Sequence, residues 1–273
     1  MFRTIALWTL TVIITLASVV YQRLTGPTHP MRSSVEVDGA EISYRLLRSH
    51  ETTGDAVIRI SVPDTAVFAE MTYKRFKSHD SLQTRALTRE TDDLVARIPK
   101  QPSAGKVMYR IALIDGNGRR YDLTDDWVII RFTGPVPRPV LYMHVLAMFV
   151  GMALSTRTGL EAISGGRRTY GYALLTTGLI VLGGLILGPV VQKYAFGAFW
   201  TGWPIGHDLT DNKTAIAVIF WLIALWRLRK RATSKTWVIV AAIVTLAVYL
   251  VPHSVLGSEL DYTKMEATGL DQP

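Results

Sequence analysis

His144, His207 and His253 are the side chains best suited to chemistry in this chain, and Asp208 and Asp211 follow the second of them in FWTGWPIGHDLTDNKT (199–214). A neutral imidazole presents one nitrogen lone pair, which suits a haem iron, a transition metal or the hydroxyl of a quinol. Three chemistries follow. His144 and His253 form a pair for the axial positions of a b-type haem, held from different helices. His207 with Asp208 and Asp211 supplies the nitrogen and oxygen donors of a metal-ion site, or a proton-accepting group beside a quinol. Each residue also has a structural use. His144 can hydrogen-bond a neighbouring helix, and His253 can sit in interfacial water after Pro252. Asp208, Thr210 and Asp211 carry the oxygens that cap a helix starting near Asn212. Met143, Met148 and Met152 share a segment with His144 and offer the sulfur that copper sites often add, but their spacing also suits core packing or lipid contact.

Positioning these residues is the task of five apolar blocks, 5–21, 140–154, 172–191, 215–226 and 237–251, each nearly or wholly free of charge. A helix needs about 20 residues to cross the hydrocarbon of a bilayer. The blocks 140–154 and 215–226 must therefore borrow flanking residues. The first block reads as an uncleaved anchor over 1–22, because ASVVYQR (17–23) lacks a small-x-small cleavage site. The other four form a bundle over 139–253, in which the glycines of GLIVLGGLILG (178–188) allow close helix packing. Trp200 and Trp203 read as an interfacial aromatic belt.

The net charge of +8 raises the question of a polyanionic partner, and its location answers it. Residues 31–134 hold 16 Lys and Arg against 15 Asp and Glu, so the surplus belongs to the apolar part. There it gathers in Arg3, in Arg157, Arg167 and Arg168, and in RLRKRATSK (227–235). Basic short loops stay in the cytoplasm. The charges thus predict a multi-pass protein of a bacterial inner membrane with its amino terminus inside. Residues 22–138, the 192–213 loop and the 254–273 tail then lie outside, and nucleic acid is not needed to explain the charge. All three histidines fall near the outer face. The absence of cysteine excludes disulfides, thiolate ligands and covalently attached c-type haem.

Residues 31–134 have a different pattern. In KVMYRIALI (106–114), Val107, Tyr109, Ile111 and Leu113 share one face, and DGNG (115–118) marks a hairpin turn before RRYDL. Further strands are expected at 41–47, 56–62, 68–76, 84–90, 93–99 and 127–132. This spacing, with the KVMYRIALIDGNGRRYDL hairpin, resembles a fibronectin type III or immunoglobulin-like domain, and implies an antiparallel β-sandwich with a binding or spacing role. PVPRP (135–139) forms a stiff stalk between this domain and the bundle. His50 and His79 fall in expected loops and have no second ligand at useful spacing.

The fold expected is thus an integral membrane protein of mixed class: five transmembrane helices with an inserted extracytoplasmic β-sandwich. No catalytic signature occurs. The series beginning at Asp208 has Lys213 where a calcium loop needs glycine and Ile219 where it needs glutamate. HExxH, nucleophile-elbow and phosphate-loop patterns are absent. The leading functional expectation is a membrane subunit linked to electron transfer, with haem, a metal ion or quinol at the outer end of the bundle. The alternative is a scaffold or assembly subunit whose β-sandwich docks a membrane or periplasmic protein partner. A transporter ranks third, because the helix interiors as read here lack charge.

Overall fold

The computed structural model describes residues 1–231, 233–252 and 257–267, with the side chains of residues 266 and 267 left aside. The chain divides into two compact units. One comprises Met1–Pro27 and Val136–Ser258; the other comprises Thr28–Pro135 and the residues from Glu259 onward.

The first unit is helical: α1 (Phe2–Thr25), α2 (Arg138–Ile163), α3 (Thr169–Phe196), α4 (Leu209–Lys230) and α5 (Thr236–Leu250). The first four are long and apolar enough to cross a membrane, which fits a multi-pass membrane protein with a β domain. The short apolar blocks do borrow their flanks, since α2 runs to 26 residues and α4 to 22. The brief helix is instead α5, with 15 residues; at 1.5 Å per residue it covers about 22 Å. Helix α2 is the hub, packing against α1, α3 and α5, while α4 packs on α3 and α5. The buried faces combine small and branched aliphatic residues, including Ala173, Ala224, Ala241, Ile180 and Val238, around the Trp221 indole.

Two features of this unit depart from the sequence expectation. Helix α2 does not stop before Arg157 but carries both Arg157 and Glu161 on its last turns, where they form a buried ion pair at 2.8 Å. The Arg157 guanidinium also lies over the Trp8 and Tyr172 rings, at 5.4 and 4.9 Å from their centroids. A carboxylate and two aromatic faces together compensate the burial of a guanidinium, so the helix continues through a charge that marks a loop in sequence. Helix α3 contains a π-helical stretch, Val181–Leu187, over the glycine-rich run. Such widened turns leave carbonyls available to other groups.

Among the described residues the second unit holds eleven strands, β1 (Met31–Val37), β2 (Ala40–Leu46), β3 (Ser49–Glu51), β4 (Ala56–Ser61), β5 (Phe68–Arg75), β6 (Gln83–Ala86), β7 (Thr88–Glu90), β8 (Asp93–Ile98), β9 (Lys106–Ile114), β10 (Arg120–Asp122) and β11 (Val128–Thr133). They make three sheets: β1-β2, β4-β8-β7, and β3-β11-β9-β5-β6 with β10 on β9. Pairing is antiparallel except for β3 with β11. Strand β9 matches the sequence reading, with Val107, Tyr109, Ile111 and Leu113 buried. Leu46, Ile58, Ile60, Met71, Ile130 and Phe132 join them in one core. The turn after β9 is tied by Asp115, whose carboxylate accepts from the amides of Asn117 and Arg119, and Gly118 takes the positive φ that the turn needs. His50 lies in β3 rather than in a loop, opposite Phe132 in the register. The register also breaks 84–90 into two strands. The last described helix, α6 (Tyr262–Ala267), belongs to this unit. Tyr262 is buried, donates to Gln101 Oε1 at 2.9 Å and stacks under Arg75. Glu259 beside it bonds both Lys77 and Lys106.

Candidate functional site

The loop between α3 and α4 is drawn together by the start of α4. Asp208 is the N-cap: its Oδ1 accepts from the Thr210 amide at 2.8 Å. Its Oδ2 accepts from the Ser258 amide and hydroxyl, both at 2.8 Å, and from the Thr201 hydroxyl at 3.3 Å. Burial alone would raise the Asp208 carboxyl, but the Ser258 donors and the helix amides hold it below the usual carboxylate range. One turn on, Asp211 Oδ2 accepts from the amides of Thr201 and Gly202 at 2.7 and 2.9 Å, and from Gln192 Nε2 at 3.1 Å. Asn212 Oδ1 takes the Trp203 amide at 2.7 Å. Three consecutive loop amides thus end on α4 side chains. Gly202 allows the approach, since a Cβ there would lie 2.6 Å from Asp211 Cβ and 2.7 Å from Asn212 Oδ1.

This clasp uses the two aspartates to hold backbone. Both are buried, whereas His207, between Gly206 and Asp208, is exposed and makes no hydrogen bond among the described residues. Among the described residues no group of three or more His, Asp or Glu is placed to hold a metal ion. Trp203 and Phe199 are exposed, and the Trp200 indole donates to the Trp203 carbonyl at 3.2 Å. His253 lies outside the described residues, and with it the pairing of His144 and His253.

His144 has a more chemical setting. Its Nδ1 is 2.9 Å from the carbonyl of Gly183, in the π-helical stretch of α3. A carbonyl only accepts, so Nδ1 carries the proton and Nε2 keeps its lone pair. The ring borders a cavity of 270 Å³ between α1, α2, α3 and α5. Ser18, Gln22 and Tyr249 bring polar groups to its wall; Met148, Phe149 and Met152 make it apolar. Gln22 donates to the Tyr249 carbonyl at 2.8 Å, and the Tyr249 hydroxyl donates to the Met148 carbonyl at 2.8 Å, so both hold the wall together. The volume approaches the lower end of the range for small-molecule sites, about 300 Å³.

Sequence reasoning overlooked Gln192, Thr201, Gly202 and Ser258, which carry no chemical signature alone. It also overlooked Lys213, which is buried in α4 and donates to the Val251 carbonyl at 2.9 Å. A helix start at Leu209 rather than near Asn212 would have placed that lysine within the apolar segment. Comparison with known proteins assigns no relative: no protein-family model matches the chain, and no curated protein matches it.

Proposed function

We propose that this chain is a five-span subunit of a bacterial inner membrane, linked to electron transfer, whose cavity beside His144 receives the head group of a quinol. The observation that carries the reading is the His144 bond to the Gly183 carbonyl. It fixes the tautomer whose Nε2 accepts a hydroxyl proton in a hydrogen bond, and the same arrangement orients histidines that ligate metals. A quinol needs an acceptor for its hydroxyl and an apolar slot for its ring, and the cavity offers both kinds of wall. In this reading the basic loops face the cytoplasm. The β unit, a fibronectin III- or immunoglobulin-like sandwich, stands in the periplasm and meets a protein partner.

The test is titration of detergent-purified full chain with a short-chain quinol, together with its absorption spectrum. Binding that is lost in His144→Ala and kept in His207→Ala supports the reading. A chain that binds no quinol and shows no Soret band refutes it. The clasp favours a second reading, a cofactor-free scaffold, because it commits Asp208 and Asp211 to backbone amides. A stable partner complex, purified without quinone or haem, would select that reading.

A further inference from the structure

The β1–β2 hairpin sorts its charges in an unusual way. Its register places Arg32 opposite Arg45, Ser34 opposite Ser43 and Glu36 opposite Glu41. All six are exposed, on the face opposite the buried Ile42, Tyr44 and Leu46. Like charges directly opposite one another are destabilising, and one exchange of Arg for Glu would have paired them at no cost to the fold. Arg32 and Glu36 are four residues apart, about 13 Å along a strand and beyond the screening length of about 8 Å at physiological salt. The acids of the hairpin therefore leave the arginine end positive. Neither the Arg32 nor the Arg45 side chain makes a hydrogen bond or ion pair among the described residues.

The two guanidinium groups open onto a shallow basin of 690 Å³, which continues across Ser34 and Ser43 to Arg59 and Ser61 of β4. Its one acid among the described residues, Asp93, lies 3.8 Å from Arg59, which also holds Glu90 at 2.7 Å. The acid is thus matched at the Arg59 side and not at the hairpin side. Two planar forks facing each other across the hairpin, with the Ser34–Ser43 hydroxyl pair beside them, fit the several oxygens of a phosphate. We propose that this basin binds a phosphate-bearing group, with Arg32 and Arg45 as its forks and Ser34 and Ser43 as additional donors. The same chemistry is offered by a soluble phosphate compound and by the head group of an anionic phospholipid.

The test uses the full chain in uncharged detergent, titrated with inorganic phosphate and with dihexanoylphosphatidylglycerol, and followed by phosphorus NMR. Both ligands should bind the wild type, and Arg32→Gln/Arg45→Gln should weaken them about tenfold or more, since charge-assisted hydrogen bonds of this kind contribute at least that factor. The lysine pair Arg32→Lys/Arg45→Lys should recover part of the loss, and serves as the folded control should the glutamine pair misfold. Phosphatidylglycerol binding more than tenfold tighter than phosphate assigns a lipid source; equal affinities assign a soluble one. Affinities unchanged in the glutamine variant overturn the proposal. So does a variant that alters only sedimentation, which would give the face to a second copy of the chain.

Discussion

Replacing Asp211 separates a clasp from a chemical site. In Asp211→Ala the amides of Thr201 and Gly202 and the side chain of Gln192 lose their acceptor in a buried setting. Each orphaned donor costs about 1–3 kcal/mol, and water entering the space left by the carboxylate recovers part of it. The expected total is about 3–5 kcal/mol. Asp211→Asn keeps one carbonyl oxygen for the two amides and loses the charge assistance, so about 1–2 kcal/mol is expected. The assay is unfolding of detergent-solubilised protein followed by tryptophan fluorescence, which Trp200 and Trp203 report from within the loop. The quinol binding proposed at His144 is assayed on the same samples, and on that proposal it should persist in the asparagine variant. An alanine variant that unfolds like the wild type refutes the clasp. So does an asparagine variant as unstable as alanine, because that pattern requires the negative charge itself.

Gly202→Ala places a methyl 2.6 Å from Asp211 Cβ, so it should cost about 1–3 kcal/mol by overpacking in the same unfolding assay. Arg157→Leu leaves Glu161 buried without its ion pair and should cost about 3–5 kcal/mol, whereas the double exchange Arg157→Leu/Glu161→Leu should recover much of that loss. In the β unit, Arg75 forms a bidentate pair with Asp80 at 2.8 and 2.9 Å and holds its carboxyl below the ordinary value of 3.8. A depressed folded pKa contributes stability above the unfolded value and loses it as pH falls through the folded one. Unfolding measured against pH should therefore show the Asp80 contribution constant at neutral pH and lost below about pH 4, with Asp80→Asn flattening that limb. Both side chains are about a quarter exposed, which limits the effect to less than about 1 kcal/mol.

The strands of the β unit were legible because a half-buried strand writes its burial into alternate residues, as β9 does from Lys106 to Ile114. Strand β1 was not, since Arg32, Ser33 and Ser34 are all exposed and leave no alternation to read. Helix ends were misplaced where charge entered the helix. Arg157 signals a loop until Glu161, Trp8 and Tyr172 are brought around it, and only tertiary packing does that. The π-helical stretch was likewise hidden, because glycines written for close packing and glycines that permit a widened turn look the same in sequence.

The stretch from 199 to 214 shows why a candidate site is harder to read than a fold. Histidine and two aspartates within five residues have the composition of a metal site, but composition does not say where the lone pairs point. Here one capping position and one helical turn send both carboxylates onto backbone amides, those of Thr201 and Gly202 in the loop and of Thr210 in the first turn of α4. His207 is left in the open without a hydrogen bond among the described residues. The imidazole with a fixed tautomer is instead His144, whose partner is a backbone carbonyl 39 residues away. A carbonyl has no sequence identity, so no spacing rule could have found it. What was readable was the weaker statement that an imidazole in an apolar helix must satisfy at least one nitrogen. The structure supplies the partner, and with it the nitrogen that remains for a ligand.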